Sequence, residues 1–325
     1  MLREIPLFPS ARLRKTLTKV EDMLRRSLNI AKQLAMNVRD LDKVLVNQGR
    51  LLCATYKDAE FSCLQDAEFQ IFSQWGEDGI IQYLTQNIEI EHKTFVEFGV
   101  ETFREANCRF LMQKDFWSGM VIDGSTKHIA KIKNSNFFWR HDLTAIEAFI
   151  SRENIAELID RAPLKGIGIL SVDIDGVDYF VLEALGHLKP AIIIVEYNGL
   201  FGPTATVSVP YSADFWRTKA HHSNLYYGAS IAAFDYLLAS RSYKLVGGNM
   251  AGNNAFFVRE DLLTDKIRPV SVADAFRETS FAEGRRADGT LDFVRGLDRR
   301  AAIADLPLYD VNSGETLRVS DLPTA

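Results

Sequence analysis

Acidic and amide residues recur in this chain directly after short apolar runs. Glu97 and Glu101 flank Gly99 in "FVEFGVE", Asp123 leads Gly124 and Ser125 in "VIDGS", and Asp142 follows "FFWRH". Asp173 and Asp175 stand in "SVDIDG", and Glu196 and Asn198 in "IIIVEYN". Runs of this length and composition read as strands, and in an open α/β sheet ligands bind beyond the carboxyl ends of the strands. These residues are therefore expected along one edge of one sheet. Taken singly, such an acid is more often a loop residue or a helix cap than a ligand. Their recurrence at successive strand ends is what marks a site.

The kind of ligand follows from the first loop. A pyrophosphate requires backbone N–H groups at a helix start, glycines that allow close approach, and no carboxylate aimed at it. "VEFGVETFRE" supplies one glycine and several carboxylates, which disfavours NAD. It suits a cationic, phosphate-free cofactor, S-adenosylmethionine, with Asp123 placed to accept the ribose hydroxyls and Asp142 near the adenine edge.

Asp173 and Asp175 share a side at a strand end, and Glu196 ends the adjacent strand. Three such carboxylates could hold Mg²⁺, which takes oxygen ligands and keeps several waters; the ion would lower the pKa of an acceptor hydroxyl and orient it. The simpler alternative has Asp178 capping a helix and Asp173 meeting the amino group of the cofactor. Residues 206–230 form a connection too long and too aromatic to be a plain loop, and are expected to wall the acceptor site. His221 or His222 is a candidate general base there, as is Asp173. Trp216, Tyr226 and Tyr227 offer faces for a sugar or pack the loop onto the sheet, and Asn198 and Asn254 are candidate orienting hydrogen-bonders.

The elements that must position these groups alternate in type. Strands are predicted at 94–99, 119–123, 137–141, 168–174 and 191–197, and helices at 104–113, 126–133, 145–161 and 177–185. That alternation predicts a mostly parallel sheet covered on both faces. After a helix at 229–240, strands at 243–246 and 255–258 are joined by "GGNMAGNN", too short for a parallel crossover, so they form an antiparallel pair. A hairpin is predicted at "YDVNSGETLRV" in the tail. The layout is a helical region over 1–65, a catalytic domain over 66–268 and an extension over 269–325.

Within the first region, Leu13, Leu17, Val20, Leu24, Ser27, Ala31, Leu34, Val38, Leu41 and Leu45 keep four-three spacing. An a/d seam of about four heptads predicts a coiled coil, hence a homo-oligomer formed through residues 13–45. The alternative is a long helix folded back on its own domain. The segment is basic and can contact an anionic membrane face peripherally, but its narrow seam lacks Trp and Phe and favours self-association.

A net charge of −5 opposes general binding to nucleic acid. The cysteines, Cys53, Cys63 and Cys108, are odd in number and form no CxxC pair, which points to a reduced cytoplasmic setting rather than to disulfides or zinc. No apolar run approaches the ~20 residues that span a bilayer, so a soluble protein is expected.

Read in order, "FSQWGEDGIIQYL", "FVEFGV", "VIDGS", "LSVDIDGVDYFVLEAL", "IIIVEYN" and "GNNAFFVR" resemble the FkbM-like group of class I S-adenosylmethionine-dependent methyltransferases over about residues 69–259. The resemblance implies a Rossmann-like seven-stranded sheet with an antiparallel last strand. It also implies methyl transfer, commonly to a hydroxyl of a sugar or natural product. Carried over by position, residues 97–101 are the cofactor loop, Asp123 is the ribose acid, and Ser73, Gln74, Glu77 and Asp78 occupy the "SQxGED" motif. The leading expectation is an O-methyltransferase acting on a glycan or related metabolite. A metal-dependent glycosyltransferase using "DID" is the second, weakened because the motif follows the fourth strand and the acidic first loop repels a diphosphate. An inactive scaffold in polysaccharide assembly is the third.

Overall fold

In a computed structural model, the structure describes residues 11–56, 59–161 and 164–323. Among the described residues there are ten strands: β1 (Thr94–Phe98), β2 (Ser118–Asp123), β3 (Leu143–Glu147), β4 (Ile169–Val172), β5 (Ile192–Glu196), β6 (Val207–Ser208), β7 (Tyr243–Gly248), β8 (Asn254–Arg259), β9 (Pro307–Asp310) and β10 (Thr316–Arg318). Seven form the main sheet in the order β3-β2-β1-β4-β5-β8-β7. β8 pairs antiparallel with both neighbours, while β1 to β5 are parallel. This is the predicted sheet, with β8 as its reversed strand.

Continuous apolar runs are needed because both faces of the sheet are covered. Val96, Phe98, Met120, Ile122, Leu170 and Val172 face one cluster; Phe95, Val121, Ile169, Ile192 and Ile194 face the other. The helices are α1 (Ala11–Thr55), α2 (Glu77–Asn87), α3 (Arg109–Asp115), α4 (Thr126–Lys133), α5 (Ile155–Asp160), α6 (Asp178–Ala184), α7 (Arg217–Ala220), α8 (Ile231–Ala239) and α9 (Val272–Ala275). Of these, α5, α6 and α8 cover the first face, through residues such as Leu158, Val181 and Phe234, and α2, α3 and α4 cover the second, through Ile80, Leu111 and Ile132. Each fully buried Phe or Ile contributes roughly 1.5–3 kcal/mol of transfer free energy. The tail joins the first face: Ile303, Leu308, Val319 and Leu322 lie in its core. Its predicted hairpin is β9–β10, and β9 also pairs with β6 in a second, three-stranded sheet.

Two predicted elements are corrected. Residues 137–141 are not a strand; Phe138–Arg140 form a 3-10 turn, and Trp139 is 72% exposed. The third strand is instead Leu143–Glu147, overlapping the start of the region predicted as a helix, which shrinks to α5. The bulky run "FFWR" imitates a buried strand. The true strand is an edge strand buried on one face only, Leu143 and Ala145 inward, so its apolar signal is weaker.

The chain divides into two compact units, residues 1–48 and 49–325. The first is helical from Ala11. Of the heptad seam, Leu24 and Leu41 are exposed in the single chain; the side chains of Leu13, Leu17, Val20, Ala31, Leu34 and Val38 lie outside the described residues. No helix among the described residues is long and apolar enough to cross a membrane. All three cysteines are free thiols.

Candidate functional site

A cavity of about 420 Å³ opens where β1, β2 and β4 end, within the ~300–1,000 Å³ typical of small-molecule sites. Its floor depends on Gly99, which stands in left-handed backbone at φ +67°. A Cβ there would lie 1.7 Å from the carbonyl oxygen of Asp173, so β1 and β4 can approach at this point only around glycine.

Asp123, the last residue of β2, is buried and lines the cavity. One carboxylate oxygen accepts from the Glu101 N–H at 2.8 Å. The other accepts from the Ser125 N–H at 2.8 Å and lies 3.1 Å from Nδ1 of His128. The turn is then locked by Ser125, whose hydroxyl accepts from His128 N at the start of α4. A Cβ added at Gly124 would meet Phe149 and Ala148 at ordinary van der Waals distances. Phe149 and Trp216 stack on each other along this side of the cavity, with ring centroids 5.8 Å apart and planes within 7°.

Three carboxylates gather at the ends of β4 and β5. Asp173, Asp175 and Glu196 present ligand atoms within 4.8 Å of one another. Burial, and then the charges of Asp175 and Asp178, raise the pKa of Asp173 well above the carboxylate range; burial and the charge of Asp173 do the same to Glu196. Asp178 begins α6 and ties the preceding turn, accepting from Ile174 N at 2.7 Å and Gly176 N at 2.9 Å, with its pKa pushed up to about 6 by burial. Arg217, at the start of α7, forms an ion pair with Asp175.

Five predicted site residues are placed differently. Glu97 does not line the cavity: its carboxylate accepts from the N–H groups of Asn107 and Cys108 at 2.7 and 3.0 Å and so fixes the start of α3, with its pKa pushed up to about 7 by burial. Asp142 precedes β3, so it lies at the opposite end of that strand from the cavity; the residues beyond the carboxyl end are Ala148 and Phe149. Gln74 is exposed and outside the cavity. Asn198 is fully committed to the fold, donating to the carbonyls of Leu225 and Tyr227 and accepting from Leu200 N, each at 3.0 Å. His221 is absent from the cavity lining and its Nδ1 lies 2.8 Å from the Ser223 hydroxyl. Gly99, Glu101, Asp123, Gly124, Ser125, Asp173 and Asp175 do come together around the cavity.

The "SQWGED" and "GNN" motifs meet each other rather than a ligand. Glu77 Oε1 accepts from the side-chain amides of Asn249 and Asn254 at 2.7 and 2.8 Å, and Asp78 accepts from three consecutive backbone N–H groups, those of Ile71, Phe72 and Ser73. Tyr226 and Tyr227 are buried, so of the three predicted sugar-stacking rings only Trp216 is open. Residues missed by the sequence reading are His128, Phe149, Arg217 and Glu283. Phe149 was hidden by the misplaced third strand, and no pattern marks the other three.

No protein-family model matches the sequence, and no curated protein matches it. Solved structures similar to it in backbone include an O-methyltransferase from Bacillus cereus in complex with S-adenosylhomocysteine, at 10% identity, covering 66% of this chain and 89% of that one, with a TM-score of 0.36. A second is a caffeoyl-CoA O-methyltransferase, so described provisionally, from Staphylococcus aureus, at 14% identity, covering 56% and 82%, with a TM-score of 0.39. A third is TrmK from M. capricolum with S-adenosylhomocysteine, at 13% identity, covering 58% and 73%, with a TM-score of 0.34. The fold assignment rests on the strand order of this chain itself.

Proposed function

We propose that this domain is an S-adenosylmethionine-dependent methyltransferase of the FkbM-like group that methylates a hydroxyl, with a sugar or related metabolite as the acceptor class. The observation that carries the reading is the charge of the cavity. Glu101, Asp123, Asp173 and Asp175 line it, there is no lysine among its lining residues, and its one arginine is already paired. Such a lining repels a nucleoside diphosphate and suits a sulfonium cofactor with an amino group and a ribose.

In this reading Asp123 accepts the ribose hydroxyls and the stacked Phe149–Trp216 pair lies beside the adenine. When bound, S-adenosylmethionine would supply an electrophilic methyl group for transfer to the acceptor oxygen, and Glu101, Asp123 and the Gly99 turn would hold it. Asp173, on the cavity wall beside the cofactor loop, is the group placed to take the hydroxyl proton. Positioning and exclusion of water supply the rest of the acceleration. We further infer that residues 13–45 self-associate through the seam that exposes Leu24 and Leu41.

Isothermal titration calorimetry of the full chain tests the cofactor. S-adenosylhomocysteine is expected to bind with a micromolar Kd, NAD⁺ and UDP-glucose not at all, and Asp123→Ala to weaken binding by roughly tenfold to a hundredfold, as loss of hydrogen bonds to a buried charged acceptor does. Absence of S-adenosylhomocysteine binding by the folded wild type would overturn the proposal.

A further inference from the structure

Arg217 is held on every side. Its Nε donates to the carbonyl of Asn224 at 2.7 Å, one terminal nitrogen pairs with Asp175, and the other donates to Oε2 of Glu283 at 2.6 Å. The guanidinium carbon sits 3.7 Å from the centre of the Tyr227 ring. Glu283 comes from the tail and is braced in turn by Arg299, Nη1 to Oε1 3.8 Å, whose side chain is 1% exposed. The positive charge of Arg217 also acts on Asp173 and Glu196.

We propose that Arg217 is the resident counter-ion of the Asp173–Asp175–Glu196 cluster, clamped there by Glu283, so that the cluster takes a guanidinium where its residue types alone predict Mg²⁺. Mg²⁺ requires near-octahedral oxygen ligands at about 2.0–2.1 Å and retains waters. A guanidinium bound to Asp175 withdraws one of the three carboxylates, and its charge opposes a second cation within a few ångströms. Unlike a metal, an arginine cannot dissociate, and it keeps its charge at any physiological pH. The aromatic face of Tyr227 adds a cation–π contact. Ligand atoms of Asp173, Asp175 and Glu196 lie within 4.8 Å of one another, so they are in place for a cation once the guanidinium is gone. The ion pairs carry this independently of what fills the neighbouring cavity.

Mn²⁺ titrations of the full chain followed by electron paramagnetic resonance read the site without any methyl transfer. The wild type is expected to bind no Mn²⁺ with a Kd below the order of 1 mM, and Arg217→Met to gain one bound ion at least roughly tenfold tighter, lost again when Asp175→Asn is added. Arg217→Lys, which restores the charge, is expected to exclude the ion. Arg217→Gln, which removes the charge but keeps a hydrogen-bonding side chain, is expected to show the same gain, and it supplies the reading if Arg217→Met does not fold. A wild-type protein that binds one Mn²⁺ lost in Asp175→Asn would overturn the proposal, as would no gain in either Arg217→Met or Arg217→Gln.

Discussion

Replacing Gly99 by alanine is the sharpest test of how the cavity is built. The new methyl carbon would start 1.7 Å from the Asp173 carbonyl oxygen and 2.9 Å from its carbon, both backbone atoms that cannot rotate away. At φ +67° an alanine also carries the left-handed penalty of about 1–2 kcal/mol. Overpacking against a fixed neighbour adds about 1–3 kcal/mol. Together these give a loss of about 2–5 kcal/mol, measurable by urea unfolding. The carbonyl of Asp173 must move away from β1 by more than an ångström, so cofactor affinity is expected to fall with stability. Gly124→Ala is the matched control: its methyl would meet Phe149 at 3.6 Å, an ordinary contact, and its backbone is not left-handed. It is expected to unfold within about 0.5 kcal/mol of wild type, as unstrained surface changes do. A Gly99→Ala protein as stable as Gly124→Ala would refute the close approach of β1 and β4.

Two further outcomes are expected. Glu97 ionises near 7 in the fold against an ordinary 4.5, so the folded state keeps a proton that the unfolded chain has lost; its stabilising contribution is full below pH 4.5 and disappears as pH rises through about 7. At ~1.4 kcal/mol per tenfold, wild type should lose about 3 kcal/mol more than Glu97→Gln over that interval in urea titrations at several pH values, and parallel slopes would contradict the burial argument. Leu24→Glu combined with Leu41→Glu should convert a self-associated wild type to monomer in light scattering, and a wild type that is already monomeric would remove the coiled coil.

The parallel sheet was legible because strands buried on both faces leave long apolar runs with little competing signal. β1, β2, β4 and β5 all fall where such runs stand, each within its predicted limits or one residue beyond. Edge strand β3 was not, since one-sided burial gives a short alternating pattern that the aromatic run before it outweighs. That single displacement carried Asp142 into the site and left Phe149 out of it.

A different limit applies to the acids. Asp123 and Glu97 both stand in β1–β2 strand ends, and sequence gives them equal claims on a cofactor. Their environments separate them. Asp123 satisfies two N–H groups of its own loop while remaining on the cavity wall, whereas both oxygens of Glu97 are taken by the start of α3. A carboxylate's role at a strand end is thus decided by which backbone N–H groups reach it first, and those belong to segments whose path no local pattern fixes. Arg217 and Glu283 show the same limit over 66 residues of chain. An acidic motif advertises a cation, but whether the cation is a metal or an arginine depends on a loop and a tail that the motif does not contain.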